Sequence, residues 1–371
     1  MKEGNVLVIG AGIAGLTSAV ALRQRGFKVE LIEKDPDWKV YGVGIIQQAN
    51  VVRAMSQLGL LDGYLDSGFG FDFVEVFLPN GQRAARVPVQ KLDARYPANV
   101  GVSRRTLHEF LGKSALDAGA TIRLGVTATS IADEPKAVTV SFSDGGTGRY
   151  DVVIGADGVY SATRDQIFPT GRKPEFVGQS VWRYNFERPA DLDCLRAYEG
   201  PIGMGLVPLS DTLMYMYMTT PEPGNPWYPR EGLAATMRAK LADAPPGIRQ
   251  LVPLITDDEQ VVYKPLERIF LEGPWHKGRV ILIGDAVHAT TPHLGQGAGM
   301  AIEDSIVLAE ELARGGTAED AFEAFRNRRF ERCKYIVEAS AAICDGQLGR
   351  APPVNQAAAT QEMFAVTAEP I

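Results

Sequence analysis

The chain has 371 residues, of which 45% are hydrophobic and 22% charged, and it carries a formal net charge of −7. This composition is typical of a globular protein with one large domain or two coupled ones, and its acidic balance argues against nucleic acid or anionic lipid as a partner. Three cysteines without CxxC spacing predict neither a disulfide framework nor a metal site. No apolar run reaches the roughly 18 residues needed to span a bilayer, and no signal peptide precedes the first strand, so we expect a cytoplasmic protein.

The opening of the chain predicts a strand, a glycine-rich turn, a helix and a second strand. The run 5–9 is short, apolar and rich in β-branched residues, and Gly10–Gly15 fit G-x-G-x-x-G. Leu16–Arg25 then have helical periodicity, and residues 28–32 form a strand before Glu33. In this context the glycines allow a pyrophosphate to approach the helix N-terminus, and the acid can bind a ribose. The motif predicts a dinucleotide site but does not separate NAD from FAD. Its predicted contacts are Gly10, Gly12, Ile13, Ala14, Gly15, Glu33 and Lys34.

The segment that follows predicts alternating helices and strands. A carboxylate on a tight glycine turn at a strand end can bind the hydroxyl groups of a polyol, and Asp157-Gly158 stands at such a position. The expected elements are helices at 51–65 and 103–118, a hairpin at 72–90 around Pro79-Asn80-Gly81, and strands at 121–131, 136–142 and 151–155.

The character of the sequence changes between about residues 175 and 275, where aromatic residues, methionine and proline become frequent. Met214–Met218 alternate methionine and tyrosine in an extended run. These features predict a second domain built on an antiparallel sheet.

Residues 279–283 return to a buried strand, which ends at a second carboxylate-bearing turn, Gly284-Asp285. The glycine-rich segment after Pro292 precedes a helix, and its backbone N–H groups could stabilise negative charge on a bound ring. Helices are expected at 298–314 and 317–345, and the residues from 350 onward show no informative pattern.

The glycine motif, Asp157-Gly158 and Gly284-Asp285 occur in this order, and together they resemble the single-component FAD-dependent aromatic hydroxylases. That family includes the p-hydroxybenzoate, salicylate, 6-hydroxynicotinate and urate hydroxylases, and the resemblance covers residues 4 to about 345. It implies an α/β fold, in which a Rossmann-like FAD-binding domain of the GR2 type carries an inserted antiparallel β-sheet substrate domain and C-terminal helices. The implied divisions are 1–71, 99–174 and 276–345 for the FAD domain, 72–98 and 175–275 for the substrate domain, and 346–371 for a tail.

The resemblance also implies which residues bind FAD, the expected cofactor. Asp285 would bind the ribityl chain, and Asp157 would contact FAD and NAD(P)H. Arg104 of an R-x-x-L element would contact FAD, with Arg105 as a less well aligned candidate. The flavin-facing segment would contribute Pro292, Gly295, Gly297 and Ala298.

The implied reaction begins with reduction of FAD by NADH or NADPH as co-substrate. Oxygen then forms a flavin C4a-hydroperoxide, which hydroxylates an electron-rich ring. Activating that ring requires a base. His293 is the first candidate because it follows Pro292 beside the flavin-facing segment and because an unperturbed histidine titrates near about pH 6.5. A packing role for His293 stays open.

Side chains alternate along a strand, so Tyr215 and Tyr217 share one face, where a phenol can pack against a substrate ring and donate a hydrogen bond. We expect His293, Tyr215 and Tyr217 to be catalytic and, with Arg183 and Met204, to bind substrate. For each of them an ordinary packing or ion-pair role is the alternative.

Two departures from the family narrow the expected substrate. The arginine of the urate hydroxylase substrate sheet corresponds to a position near Gly203, and a histidine of 6-hydroxynicotinate hydroxylase corresponds to Ile46. These two differences argue against urate and 6-hydroxynicotinate as substrates and favour an apolar phenol or N-heteroaromatic. We expect the protein to be a monomer or a homodimer. A dehydrogenase or reductase on the same fold, without oxygen insertion, is the alternative function.

Overall fold

A computed structural model describes residues 4–40, 43–200 and 202–371 of the chain. The β-strands in these ranges are β1 (Asn5–Ile9), β2 (Lys28–Glu33), β3 (Gly44–Gln48), β4 (Phe69–Phe71), β5 (Phe73–Phe77), β6 (Arg83–Pro88), β7 (Asn99–Ser103), β8 (Thr121–Leu124), β9 (Ala128–Asp133), β10 (Val138–Phe142), β11 (Thr147–Tyr150), β12 (Val152–Gly155), β13 (Glu175–Glu187), β14 (Leu195–Tyr198), β15 (Met204–Pro208), β16 (Leu213–Pro221), β17 (Val262–Arg268), β18 (His276–Lys277) and β19 (Val280–Leu282). The α-helices are α1 (Ile13–Arg23), α2 (Ala49–Gln57), α3 (Leu61–Asp66), α4 (Arg104–Asp117), α5 (Ala162–Ile167), α6 (Leu233–Lys240), α7 (Pro246–Arg249), α8 (Asp285–His288), α9 (Gly297–Ala313), α10 (Ala318–Gln347) and α11 (Gln356–Ala368).

One sheet has the strand order β18-β19-β12-β1-β2-β8, and all its pairs are parallel except β18 with β19. Strands β1, β12 and β19 are short apolar runs, buried because helices cover the sheet: α1 packs on β1, α5 on β19, and α9 on α1. The carboxyl ends of parallel strands lie at one edge of a sheet. The turns that follow β1, β12 and β19 therefore meet at this edge, and these are the three turns that the sequence marked.

A second sheet has seven strands in the order β17-β13-β16-β15-β14-β5-β6. The predicted hairpin is confirmed as β5 and β6, and it joins the sheet through one parallel pair, β5 with β14, whereas the other pairs are antiparallel. The sheet is thus antiparallel with one parallel junction. The domain boundaries themselves stay a prediction.

Three predicted elements differ from the structure. The helix expected at 51–65 is divided into α2 and α3 by Gly59, whose φ of 66° ends the first helix. The strand expected at 121–131 is divided at Gly125 into β8, in the six-stranded sheet, and β9, in a separate three-stranded sheet. The tail from residue 350, which gave no pattern, contains helix α11.

The helices predicted at 103–118, 298–314 and 317–345 are confirmed as α4, α9 and α10, whereas α5, α6, α7 and α8 were not predicted. Helix α10 begins at a capping box in which Thr317 and Asp320 exchange hydrogen bonds between side chain and backbone, so its first turn is stabilised locally. None of the helices in the described ranges is both long enough and apolar enough to cross a bilayer.

Candidate active site

The turns at the edge of the six-stranded sheet and one face of the seven-stranded sheet enclose a single cavity of about 1490 Å³. Ligand pockets are typically about 300–1,000 Å³, so this volume suits a large cofactor together with a second molecule. Of the predicted site residues, those on its wall are Gly12, Ile13, Ala14, Arg104, Arg183, Met204, Tyr215, Tyr217, Asp285, Pro292, His293, Gly295, Gly297 and Ala298. Those absent from its wall are Gly10, Gly15, Glu33, Lys34 and Asp157.

The glycine motif forms a tight turn between β1 and α1. Gly10 has a φ of 102°, in the region that favours glycine, and a Cβ on Gly15 would lie 1.9 Å from the Gly10 carbonyl oxygen. A Cβ on Gly12 would instead have no heavy atom within 4 Å. The turn therefore leaves open space against the backbone at Gly12, beside the start of α1.

Three side chains, from β2, the loop after it and α4, hold the Ala11 peptide of this turn. Glu33 Oε2 accepts from the Ala11 N–H at 3.0 Å. Trp38 Nε1 and His108 Nε2 lie 3.1 and 2.8 Å from the Ala11 carbonyl oxygen. Glu33 thus supports the loop from behind the cavity wall, and Lys34 is exposed. The sequence gave no signal that His108 would contribute to the site.

The Asp157 carboxylate is used within its own loop. Its Oδ2 accepts from the Thr163 backbone N–H and from the Thr163 hydroxyl, both at 2.9 Å, so the acid closes the turn that leads into α5. Arg164 ties this turn to the next one, because its guanidinium donates to the Val159 and Ala286 carbonyl oxygens at 2.9 and 3.0 Å. The loop reaches the cavity through Ala156 and Gly158 instead.

The turn that carries Asp285 is fixed by a buried carboxylate. Asp304 accepts from the Gly284 N–H at 2.9 Å, from His288 Nε2 at 2.7 Å and from Arg329 Nε at 2.8 Å. Its pKa is lowered to about 2 by the His288 imidazolium, among other groups, against the effect of burial. His288 is therefore a support for the turn, and the carboxylate of Asp285 itself is directed into the cavity.

Asp285, Arg104, Tyr215 and Arg183 all lie on the cavity wall and influence one another electrostatically. The enclosed surroundings raise the pKa of the Asp285 carboxyl, although His288 and Arg104 lower it. Desolvation lowers the pKa of Arg104 and lowers that of Arg183 to about 10, to which repulsion from Arg104 also contributes. Arg104 Nε is buried without a hydrogen-bond partner among the described residues. Two guanidinium groups thus lie near each other with little solvent, a strong attraction for an anion.

The tyrosines lie on the cavity side of β16, as alternation predicts. The ring of Tyr215 packs on Gly44, where a Cβ would be 2.2 Å from Tyr215 Cδ1, and its centroid is 6.1 Å from that of Tyr217. Met204 borders the cavity but is 5% exposed, and it belongs to the apolar cluster that also contains Met214, Met216 and Met218. The methionines therefore form the core on the opposite side of the sheet, and a substrate contact by the Met204 side chain stays a prediction.

Both ring nitrogens of His293 are hydrogen-bonded. His293 Nε2 lies 3.1 Å from Gln347 Oε1, and because an amide oxygen only accepts, Nε2 carries the proton. Nδ1 then accepts from the Thr291 hydroxyl at 2.9 Å. Burial lowers the pKa of His293 to about 4, against the effect of the Gln347 hydrogen bond, so the ring is neutral at neutral pH.

The lowered pKa of His293 predicts a specific loss of stability in acid. In the unfolded chain His293 binds a proton below its ordinary pKa of about 6.5, whereas in the folded chain it stays neutral until about pH 4. The free energy of unfolding therefore falls as the pH falls from about 6.5 to about 4. The wild type should therefore lose about 2 kcal/mol more than His293→Gln between pH 7.5 and 4.5. Urea unfolding of both proteins at the two pH values measures the difference. Equal losses would contradict the lowered pKa.

The C-terminal segment contributes to the cavity, which the sequence did not predict. The wall residues from this segment are Pro353, Val354, Asn355, Gln356, Ala357, Thr360, Gln361, Met363 and Phe364. Arginines fix the end of the chain: Arg53 donates to the Thr367 and Ala368 carbonyl oxygens at 3.0 and 2.8 Å, and Arg332 donates to those of Glu369 and Pro370 at 2.7 and 2.9 Å. A tail without a pattern of its own is thus ordered by distant residues.

The sequence model of a family described as "FAD binding domain" matches residues 3–340. The chain is 31% identical over 355 residues to the putative FAD-dependent monooxygenase YetM of Bacillus subtilis, covering 95% of this chain and 96% of the relative. It is also 31% identical over 349 residues to 2-heptyl-3-hydroxy-4(1H)-quinolone synthase of Pseudomonas aeruginosa, covering 93% of this chain and 89% of the relative.

Among solved structures, the chain is similar to Klebsiella pneumoniae HpxO complexed with FAD and uric acid. The TM-score is 0.84 at 26% identity, with 99% of this chain and 93% of the other covered. The predicted fold and the predicted FAD cofactor are confirmed by these likenesses.

Proposed function

The chain belongs to the FAD binding domain family, and on that premise we propose that it is an FAD-dependent monooxygenase that hydroxylates a phenolic or N-heteroaromatic ring with NADH or NADPH and oxygen. One observation carries the proposal. The glycine turn, the Asp285 turn and a sheet face bearing Arg183 and two tyrosines all border the same cavity.

The residues on the cavity wall fit FAD. Open space lies against Gly12 at the start of α1, where a helix N-terminus favours a pyrophosphate. Asp285 presents a carboxylate that can accept from ribityl hydroxyls, and Arg104 presents a buried donor without a partner among the described residues. When bound, FAD supplies the electrons and the activation of oxygen that the reaction requires.

We assign the activation of the substrate to Arg183, whereas Arg104 would contact FAD. Guanidinium groups held in a poorly solvated cavity favour the deprotonated form of a phenol or hydroxy-heteroaromatic, which makes its ring more electron-rich. Tyr217 and Tyr215 would orient that ring by packing and hydrogen bonding. His293, whose pKa is lowered to about 4, is a weak proton acceptor, so we give it the role of positioning the ring through its neutral imidazole.

The remaining partners are proposed on chemical grounds. NADH and NADPH are equal candidates for the reductant, and a monomer and a homodimer are equal candidates for the assembly. The three cysteines are free and buried, which suits a reducing compartment and supports a cytoplasmic location.

The decisive experiment follows NAD(P)H oxidation by the yellow holoprotein in the presence of phenols, hydroxypyridines and 4-hydroxyquinolines. A monooxygenase is expected to oxidise NAD(P)H faster with its substrate and to incorporate one atom of ¹⁸O from ¹⁸O₂ into the product. A dehydrogenase or reductase would convert substrate without label. A chain that takes up no flavin would contradict the proposal altogether.

A further inference from the structure

On the cavity side of the seven-stranded sheet, the side chains change from polar and aromatic to apolar from one edge of the sheet to the other. Arg183 of β13 pairs in register with Tyr217 of β16, and Tyr217 pairs with Gly205 of β15. Beyond β15 the register continues through Ala197 of β14 to Val76 of β5. The polar and aromatic side chains thus end at β15, and small apolar ones follow.

The apolar side of the sheet belongs to the same cavity as the arginine and the tyrosines. The wall residues contributed by β14, β5, β6 and the residues just after β6 include Leu195, Ala197, Val74, Val76, Val87 and Val89. We call this strip the valine groove. Neighbouring strands lie about 4.8 Å apart, so the groove extends roughly 14 Å from β15 to the edge strand β6.

Charged residues on these strands are turned to the other face. Glu75, which lies between Val74 and Val76, accepts from Arg196 Nε at 3.1 Å and from Arg86 at 3.1 Å. Arg196 in turn stands between the two groove residues of β14. The charges on the three strands therefore neutralise one another behind the sheet, and Glu199, which follows β14, borders the same cavity next to the groove.

Gly205 lies where the polar side of the sheet meets the groove, and its lack of a side chain leaves room for the Tyr217 ring. At Gly205 a Cβ would lie 2.6 Å from the Tyr217 ring, which therefore leans over β15. At the far end the groove opens to solvent, since Val87 on the edge strand is 48% exposed. Apolar surface that is continuous with a binding site and open at its end suits an apolar substituent of variable length.

We propose that the substrate carries, besides its aromatic head at Arg183 and the tyrosines, an alkyl or prenyl chain that lies in the valine groove. This inference rests on the proposed function and adds to it the class of substrate. It makes Ala197 a determinant of chain length, because it is a small residue at the middle of the strip, where a large side chain would fill the path.

The test uses 4-alkylphenols and 2-alkyl-4-hydroxyquinolines with ethyl, pentyl, heptyl and nonyl chains on the holoenzyme. We expect kcat/KM for substrate-dependent NAD(P)H oxidation to rise about threefold per methylene up to the length of the groove and then to level off, as burial of each methylene predicts. The dissociation constant of each compound, measured by its effect on the flavin absorbance without reductant, should follow the same trend.

Two variants test whether the chain-length dependence arises in the valine groove. Ala197→Phe should reduce the heptyl-to-ethyl ratio of kcat/KM to about 1, and Val87→Trp, at an exposed position that tolerates the change, should reduce the gain from pentyl to nonyl. The matched control is Ala84→Phe, since Ala84 is exposed on β6 and is not among the residues of the cavity wall. This variant should keep the wild-type ratio.

The outcomes separate the two proposals. Hydroxylation of short heads with no dependence on chain length would overturn the valine groove and leave the monooxygenase proposal intact. Length-dependent binding without stimulated NAD(P)H oxidation or oxygen insertion would support the groove and overturn the proposed reaction. If Ala197→Phe and Ala84→Phe changed the heptyl-to-ethyl ratio of kcat/KM equally, the valine groove would also be overturned as the chain-binding site.

Discussion

Gly15→Ala is expected to yield protein without FAD and with a free energy of unfolding lower by about 3 kcal/mol or more. The added Cβ would lie 1.9 Å from the Gly10 carbonyl oxygen and 3.1 Å from its carbon. Both are backbone atoms of the turn that binds the cofactor, so no side-chain rotation relieves the contact. Flavin absorbance of the purified variant and its urea unfolding curve measure the two effects.

Two other glycines separate the loss of the cofactor from the loss of the fold. Gly12→Ala meets no heavy atom within 4 Å, so the cofactor-free protein should be as stable as wild type, while FAD affinity falls because the methyl group occupies the space assigned to the pyrophosphate. Gly273→Ala also has free space, outside the cavity, and should change neither property. Full FAD content in Gly12→Ala would refute the assigned role of this turn.

The cofactor turns could be predicted from the sequence because their geometry is local. A buried strand, a glycine that must adopt a positive φ and a following helix are contiguous, so the pattern specifies the turn without knowledge of the rest. Asp157 shows the limit of that reasoning. Its place in the turn was predicted, yet its carboxylate bonds to Thr163, six residues further on.

Properties set by distant residues could not be predicted. The low pKa of His293 depends on burial and on its contact with Gln347, which lies 54 residues away. Helix α11 begins at a local signal, the Asn355 cap before an alanine-rich run, but its position against the cavity depends on arginines in α2 and α10 that bind carbonyl groups at its end. The valine groove likewise becomes visible only when strand register brings β5 and β14 together.

Arg183→Met is expected to lower kcat/KM for an acidic aromatic substrate by about 10² to 10³ while FAD content stays near wild type. The methionine keeps much of the side-chain volume but removes the charge that we assign to the deprotonated head. Loss of one partner from a buried, hydrogen-bonded charge pair costs roughly 2–5 kcal/mol, and the expected factor lies in the middle of that range. Steady-state kinetics with the preferred substrate, together with the flavin spectrum, provide the measurement.

The same substitution should leave the fold as stable as wild type or more stable. The pKa of Arg183, lowered to about 10 mainly by desolvation, means that the folded protein disfavours this charge at neutral pH by an amount on the order of 3 kcal/mol. Arg183→Lys retains a charge without the planar fork and should be intermediate in kcat/KM. Arg105→Met, at an exposed position next to Arg104, serves as the control and should change neither stability nor kinetics. A residue whose removal stabilises the protein and abolishes turnover is retained for binding its ligand. If Arg183→Met instead destabilised the protein and kept its kcat/KM, Arg183 would be a structural residue and the substrate head would have to lie elsewhere in the cavity.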